Sequence, residues 1–317
     1  MLNRRTVLVS AAAAAMMSTR AHAQRGVLRI VVPFTPGTTP DTLARALAPQ
    51  LQARLGLSPM VDNKPGASGM IGMSAVAKTT DMNTLVIVPA TTTALPLFYR
   101  QMDFDVVNGL TPITQLCSSS FVLAVHKDVP ASNLNEFVAW TKAGGGQFYG
   151  TPGNGTHHHL FMELLLQTMG VKLSHVPYKG AAPAITDLLG GQVSAMFLPI
   201  QAAVPLRDQG RIKIIGGSLR QRHHAFPQIP SLAEQGARDF HGDPWFSVWG
   251  PPRMPASQVE TLRSAIAAAL ADPALKDSFA QQGLIVETST PAELLVRTNS
   301  ESAQWARVVR EANIKPE

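Results

Sequence analysis

Pro33-Phe34-Thr35-Pro36-Gly37-Thr38-Thr39-Pro40-Asp41 follows the apolar run Leu28-Arg29-Ile30-Val31-Val32 and leads into a helical pattern. A strand that ends in a turn-rich loop and feeds a helix is the repeating unit of an α/β protein. Beyond the loop, Leu43, Leu47, Leu51 and Leu55 recur every fourth residue, which predicts a helix with one apolar stripe. Asp41 is placed to cap that helix and Gly56 to stop it. The same kind of phrase returns at Tyr149-Gly150-Thr151-Pro152-Gly153-Asn154-Gly155-Thr156, before a helical run at 157–169. Loops of this type leave backbone N–H groups unpaired and aim a helix N-terminus outward, which suits a small anion. No Arg or Lys lies within 33–40 or 149–156. Backbone amides, helix dipoles and hydroxyls are therefore the donors these loops can offer.

Strand-like and helical patterns alternate outward from the first loop: 28–34, 41–55, 60–63, 70–78 and 84–89. The pattern predicts mostly parallel sheets flanked by helices, in two domains or one large one. Two long apolar strands, Phe121-Val122-Leu123-Ala124-Val125 and Trp245-Phe246-Ser247-Val248-Trp249, read as crossings between two lobes. The expected division is a leader at 1–23, a discontinuous first lobe at 24–124 and 229–317, and a second lobe at 125–228. The C-terminal part reads as helices at 258–271, 274–282 and 291–312.

Residues 1–23 combine Arg4 and Arg5, an apolar stretch at 6–17 and Ala21-His22-Ala23 before Gln24. This is the pattern of a cleavable signal peptide with an A-x-A site, and the stretch falls short of the roughly 20 residues of a spanning helix. Adjacent arginines suit the twin-arginine route as well as the Sec route, so the expectation is a periplasmic protein exported by either. Removing this segment takes away three arginines and no acid, so the net charge falls from +6 to +3. So small a charge, with no basic run, excludes a nucleic-acid footprint. Cys117 is the only cysteine, which excludes an internal disulfide, a multi-cysteine metal site and a lipoprotein anchor.

The ordered phrases Val32-Pro33-Phe34-x-Pro36-Gly37-x-x-x-Asp41, Asp62-Asn63-Lys64-Pro65-Gly66-Ala67-x-Gly69 and Leu110-Thr111-Pro112-Ile113 recur in one known family. So do Gly150-x-Pro152-Gly153-Asn154-Gly155-Thr156-x-x-His159-Leu160, Val176-Pro177-Tyr178-Lys179-Gly180 and Asp187-Leu188-x-x-Gly191-Gln192-Val193. The chain resembles the tripartite tricarboxylate transporter receptors, also called the Bordetella uptake gene family, over essentially its whole mature length. The resemblance implies a two-lobed, type II periplasmic binding protein fold that closes over a small organic carboxylate and hands it to a membrane transporter, with no cofactor. By position it places Phe34, Thr35, Gly37, Thr38, Thr39 and Asp41 in a first ligand loop. A second loop holds Gly150, Thr151, Gly153, Asn154, Gly155, Thr156 and His159; Tyr178 and Gly180 form a third segment, and Thr91 follows the third strand.

Three departures stand out. Thr38 occupies a position where relatives carry glycine, Pro40 lacks an N–H, and Leu198 follows Met196-Phe197 where relatives carry Asp or Asn. Hydroxyls of Thr35, Thr38 and Thr39 are expected to replace lost amide donors, and the missing acid argues against an amino-acid ligand. His157, His158 and His159, with Glu163 one turn on, keep an exported enzyme or metal-binding protein as the alternative. The spacing supplies at most two ligands on one face, and H-E-x-x-H, G-x-S-x-G, G-x-G-x-x-G and P-loop patterns are all missing from the sequence, so no metal site and no turnover are expected. A sensor for a signalling partner would use the same closed form. The receptor is expected to be a monomer.

Overall fold

The first strand, β1 (Val27–Val32), is apolar on both faces: Leu28, Ile30 and Val32 enter one core cluster and Val31 another. Burial on both sides is the mark of a central strand covered by helices. The protein is described by a computed structural model covering residues 26–314 except Val107 and His241, so the expected signal peptide lies outside the described residues. After β1 come α1 (Thr39–Leu55), β2 (Ser58–Asn63), α2 (Met70–Ala77), β3 (Thr84–Pro89), a 3-10 helix (Ala90–Leu97) and β4 (Thr111–Ser119). Next are β5 (Phe121–His126), α3 (Leu134–Lys142), β6 (Phe148–Thr151), α4 (His157–Met169), β7 (Ser174–Pro177) and α5 (Ala181–Leu189). They are followed by β8 (Ala195–Pro199), α6 (Ile200–Asp208), β9 (Ile212–Gly217) and β10 (Trp245–Gly250). The chain closes with α7 (Ala256–Leu270), α8 (Pro273–Gln281), β11 (Leu284–Val286) and α9 (Pro291–Glu311).

Two sheets result. The first has the order β11-β4-β10-β3-β1-β2 and the second β7-β6-β8-β5-β9. The expected two-lobed α/β arrangement is present, and each sheet is mixed. In the first, β1 is parallel to β2 and β3, while β10 runs antiparallel to β3 and β4 and β11 antiparallel to β4. In the second, β6 is parallel to β7 and β8, and β5 opposes β8 and β9.

The helix after the first loop buries Leu43, Leu47 and Leu51 against the first sheet, each contributing about 1.5–3 kcal/mol, and ends at Gly56 in the left-handed conformation. It starts before Asp41: Thr38 is its N-cap, without a side-chain cap bond, because a proline in the first turn has φ already set for helix. The expected capping role of Asp41 is thereby corrected.

The crossings also differ from expectation. The strand at 121–125 lies wholly in the second sheet and β10 wholly in the first; the outward change of sheet falls at Ser120. On the return, Ile229, Leu232, Ala237 and Phe240 still pack in clusters of the second sheet, and Ser231 bridges Gly217. The chain thus re-enters the first sheet only just before Trp245, rather than at 229. The far end of α9 departs as well, because Trp305, Val308 and Val309 pack among residues of the second sheet. No described helix is long and apolar enough to cross a membrane.

Candidate functional site

Four strand-to-helix turns meet where the two sheets face each other. They open α1 from the first sheet and α4, α5 and α6 from the second. The carboxyl ends of strands at a change of topology are where α/β sheets take ligands, and each helix N-terminus adds a favourable field for an anion.

The first loop is held by Asp41, a buried residue only 3% exposed. Its carboxylate accepts from the Gly37 N–H (2.9 Å), Arg45 Nε (3.0 Å) and Asn63 Nδ2 (2.9 Å). Burial works against its ionisation, but the bonds from Arg45, Gly37 and Asn63 outweigh it and hold the carboxyl below the usual range. Gly37 has φ +82°, and Asn63 also donates to the Phe34 carbonyl (3.1 Å). Thr38 donates its hydroxyl to the Thr35 carbonyl (2.8 Å). Asp41 is therefore a brace, and the Thr38 hydrogen is already used inside the loop.

The second loop is braced in the same way. The Thr151 hydroxyl accepts from the Gly153 N–H (3.2 Å) and shares a hydrogen with His175 Nε2 (2.6 Å); Thr156 donates to the Gly153 carbonyl (2.9 Å). The Gly155 N–H donates to His159 Nδ1 (3.2 Å), and the His159 ring stacks on His175 at 3.9 Å, buried. His159 thus stands behind the loop. Gly150 belongs to β6, with Val193 3.1 Å from where a Cβ would sit, so its lack of a side chain serves packing. Asn154 lies between the two positive-φ glycines, Gly153 (+146°) and Gly155 (+71°). In the third segment the Gly180 N–H donates to the Pro152 carbonyl (3.2 Å) and Tyr178 Oη to Asp187 (2.6 Å), which ties this segment to the second loop and to α5.

The loops of the two sheets touch. Gln201, at the start of α6, donates Nε2 to the buried Thr39 hydroxyl at 3.1 Å. A Cβ on Gly153 would lie 2.9 Å from Ser68 Oγ, one on Gly155 2.7 Å from the Phe98 ring, and one on Gly180 3.9 Å from Thr35. Phe34 lines the first-sheet side against Gly69, and Thr91 is buried at the start of the 3-10 helix after β3. Sequence reasoning missed Gln201, Ser68 and Phe98. Gln201 had a signal, since it follows β8 as the other loops follow their strands; Ser68 sits inside the Gly66–Gly69 phrase with φ +51°.

Several buried polar atoms near this seam have no hydrogen-bond partner: Gln201 Oε1, Ser119 Oγ, His157 Nε2 and both ring nitrogens of His158. Burial pushes both histidines down to about 3, so their rings are neutral. Phe121, the first residue after the change of sheet, packs against both rings, and the His157 ring lies 6.1 Å from Phe246 of β10. Glu163 accepts from Tyr149 Oη, and among the described residues no group of three His, Cys, Asp or Glu is placed to hold a metal ion. The His159 ring faces Tyr149 and His175 instead, because consecutive helical residues point in different directions.

The profile of the tripartite tricarboxylate transporter family receptor matches residues 43–314. Protein BugT of Bordetella pertussis is 30% identical over 97% of this chain and 95% of its own length. Among solved structures, Rpa4515 of R. palustris with adipate superposes with TM-score 0.87 at 31% identity, covering 93% of this chain and 100% of that one. MatC of Rhodopseudomonas palustris with bound malate gives TM-score 0.82 at 26% identity, covering 89% and 98%.

Proposed function

The chain belongs to the tripartite tricarboxylate transporter receptor family, a family of solute receptors rather than enzymes, and on that premise we propose that it is a periplasmic receptor that captures a small organic carboxylate between its two sheets. It then delivers the ligand to a membrane transporter of the tripartite tricarboxylate kind. Export rests on the leader at 1–23, and the mature protein acts as a monomer.

One observation carries this reading: the turns that open α1 and α6 are joined across the seam by the Gln201–Thr39 bond, while the Gly153–Gly155 turn abuts Ser68 and Phe98. A ligand held there touches both lobes and so favours their approach by its differential contacts. No Arg or Lys lies in either loop, so the ligand carboxylate is held by backbone donors, helix N-termini and hydroxyls. The carboxylates named with the adipate- and malate-bound relatives support the ligand class. The unpartnered atoms of Gln201, Ser119 and His158 support it too, because buried polar groups call for a partner.

A thermal-shift screen of mono-, di- and tricarboxylates on the mature protein tests the proposal. Binding to the native state at a hundredfold excess over Kd stabilises by about 2.7 kcal/mol, a shift of several degrees. If no carboxylate raises the melting temperature while calorimetry also shows no heat of binding, the reading is wrong.

A further inference from the structure

A cavity of about 570 Å³ lies apart from the seam, between the returning crossing and α9. None of the loop residues described above lines it; its walls include Asp243, Trp245, Val296, Arg297, Glu301 and Trp305. Its volume is in the range of small-molecule sites, roughly 300–1,000 Å³. The Glu301 carboxylate accepts an indole N–H from Trp245 and another from Trp305 (3.0 Å), and both indoles are buried. Arg297, the one cationic side chain among the described residues that line the cavity, is already engaged. It pairs with Asp243 at 2.7 Å and Glu287 at 3.4 Å, donates to Gln115 at 2.8 Å, and lies over the Trp245 ring at 5.1 Å. Glu293, a third acid at the wall beside Asp243 and Glu301, is held in the capping box of α9 with Thr290. Among the described residues no ion pair reaches Glu301. A carboxylate fixed by two indoles and outside the direct ion pairs of Arg297 therefore borders a roomy cavity, and Val296 stands beside it 71% exposed.

We propose that this cavity is a second ligand site that takes a small organic cation, an alkylamine or alkylammonium, with its charge against Glu301 and its carbon chain along Val296. Charge selects a cation: among the described residues that line the cavity, Asp243, Glu293 and Glu301 carry acids and Arg297 the cation, so a positive ligand is favoured and a second anion would be repelled. The indoles fix the carboxylate by donation, which leaves lone pairs on both oxygens for an ammonium.

Protonation gives the site a signature. Burial, aided by the Asp243 charge and opposed by the indoles and Arg297, raises the Glu301 carboxyl to about 7. A cation needs the ionised form, so binding near neutral pH releases a proton. Affinity should rise about tenfold from pH 6 to pH 8 as the ionised fraction climbs.

The test is calorimetry on the mature protein with n-butylammonium and tetramethylammonium as probes, n-butanol as the neutral control and sodium chloride as the salt control. One alkylammonium should bind one to one, the two controls should not, and titrations at pH 6.5 in buffers of different ionisation enthalpy should report proton release. Glu301→Gln should lose at least tenfold in affinity. Val296→Lys, at an exposed position that leaves the core untouched, should lose binding by placing a cation at the mouth. No binding of either probe to folded wild type, equal binding of butanol, or undiminished binding in both variants would overturn the proposal. Carboxylate thermal shifts should be unchanged in both variants, so this outcome and that of the seam are read separately.

Discussion

Gly153→Ala separates loop strain from lobe approach. Gly153 has φ +146°, a backbone region that side chains avoid, and holding alanine there costs about 1–3 kcal/mol. That strain belongs to the loop itself, so it should appear in unfolding by denaturant whether or not the lobes touch. The second term belongs to the contact alone. A Cβ would sit 2.9 Å from Ser68 Oγ, and Ser68 is hydrogen-bonded to Tyr99 Oη at 3.1 Å, so giving way breaks a bond of about 0.5–1.5 kcal/mol. Converted at about 1.4 kcal/mol per tenfold, closure should weaken about 2- to 12-fold, and affinity for the carboxylate that gives the largest thermal shift should fall by that factor. Calorimetry of the single variants and of Gly153→Ala with Ser68→Ala completes a double-mutant cycle. In the Ser68→Ala background the closure term should vanish while the loss of stability remains. Wild-type affinity in Gly153→Ala, or the same affinity loss with and without the Ser68 hydroxyl, would refute contact between the loops as the basis of closure.

Gln201→Ala removes the bond to Thr39 across the seam, so carboxylate affinity should fall about 2- to 12-fold with little change in unfolding; a loss of stability without a loss of affinity would contradict this. Asp41→Asn should destabilise at pH 7 by about 1.5–3 kcal/mol for each charge-assisted bond lost. Because the folded Asp41 carboxyl is held below its usual range, its contribution is full above the unfolded value of roughly 3.9 and is lost as pH falls through the folded one. The gap between wild type and variant in urea should therefore close in acid, and an undiminished gap there would count against the brace. Cys117 is buried and burial pushes its thiol far up, so an aromatic disulfide reagent should label it only after denaturation; fast labelling of native protein would contradict the core position.

How much was legible in the sequence follows from where each signal resides. The helix α1 was readable because its leucines keep a local period and Gly56 marks a left-handed stop, both properties of short segments. The crossings were misread for the complementary reason. Both β5 and β10 are buried on two faces, so their apolar runs carry no period that distinguishes one sheet from the other. The change of sheet at Ser120 involves no glycine or proline to announce it. Asp41 was misread because serine, threonine and aspartate can all cap, and the proline at 40 moved the start of the helix ahead of it.

The site divides along the same line. That two loops share a form suited to a ligand follows from their strand–loop–helix pattern, but which of their atoms remain free depends also on bonds made from outside each loop. Asn63 reaches Asp41 and Phe34 from β2, and His175 reaches Thr151 from β7. Together with the bonds inside the loops, from Gly37 to Asp41, Thr38 to Thr35 and Gly155 to His159, they turn Asp41 and His159 from ligand candidates into supports. A loop whose own hydrogen bonds are satisfied keeps its shape when solvent enters, so little ordering remains to oppose binding. On the proposed reading, recognition rests on bringing two rigid loops together, and the residues at the contact are Thr39, Ser68, Gly153 and Gln201. Three of these four carry small or flexible side chains with no charge and no motif of their own, and the fourth is a glycine whose role depends on what lies opposite. A contact between two sheets is a property of the folded pair, and no local pattern in either segment encodes it.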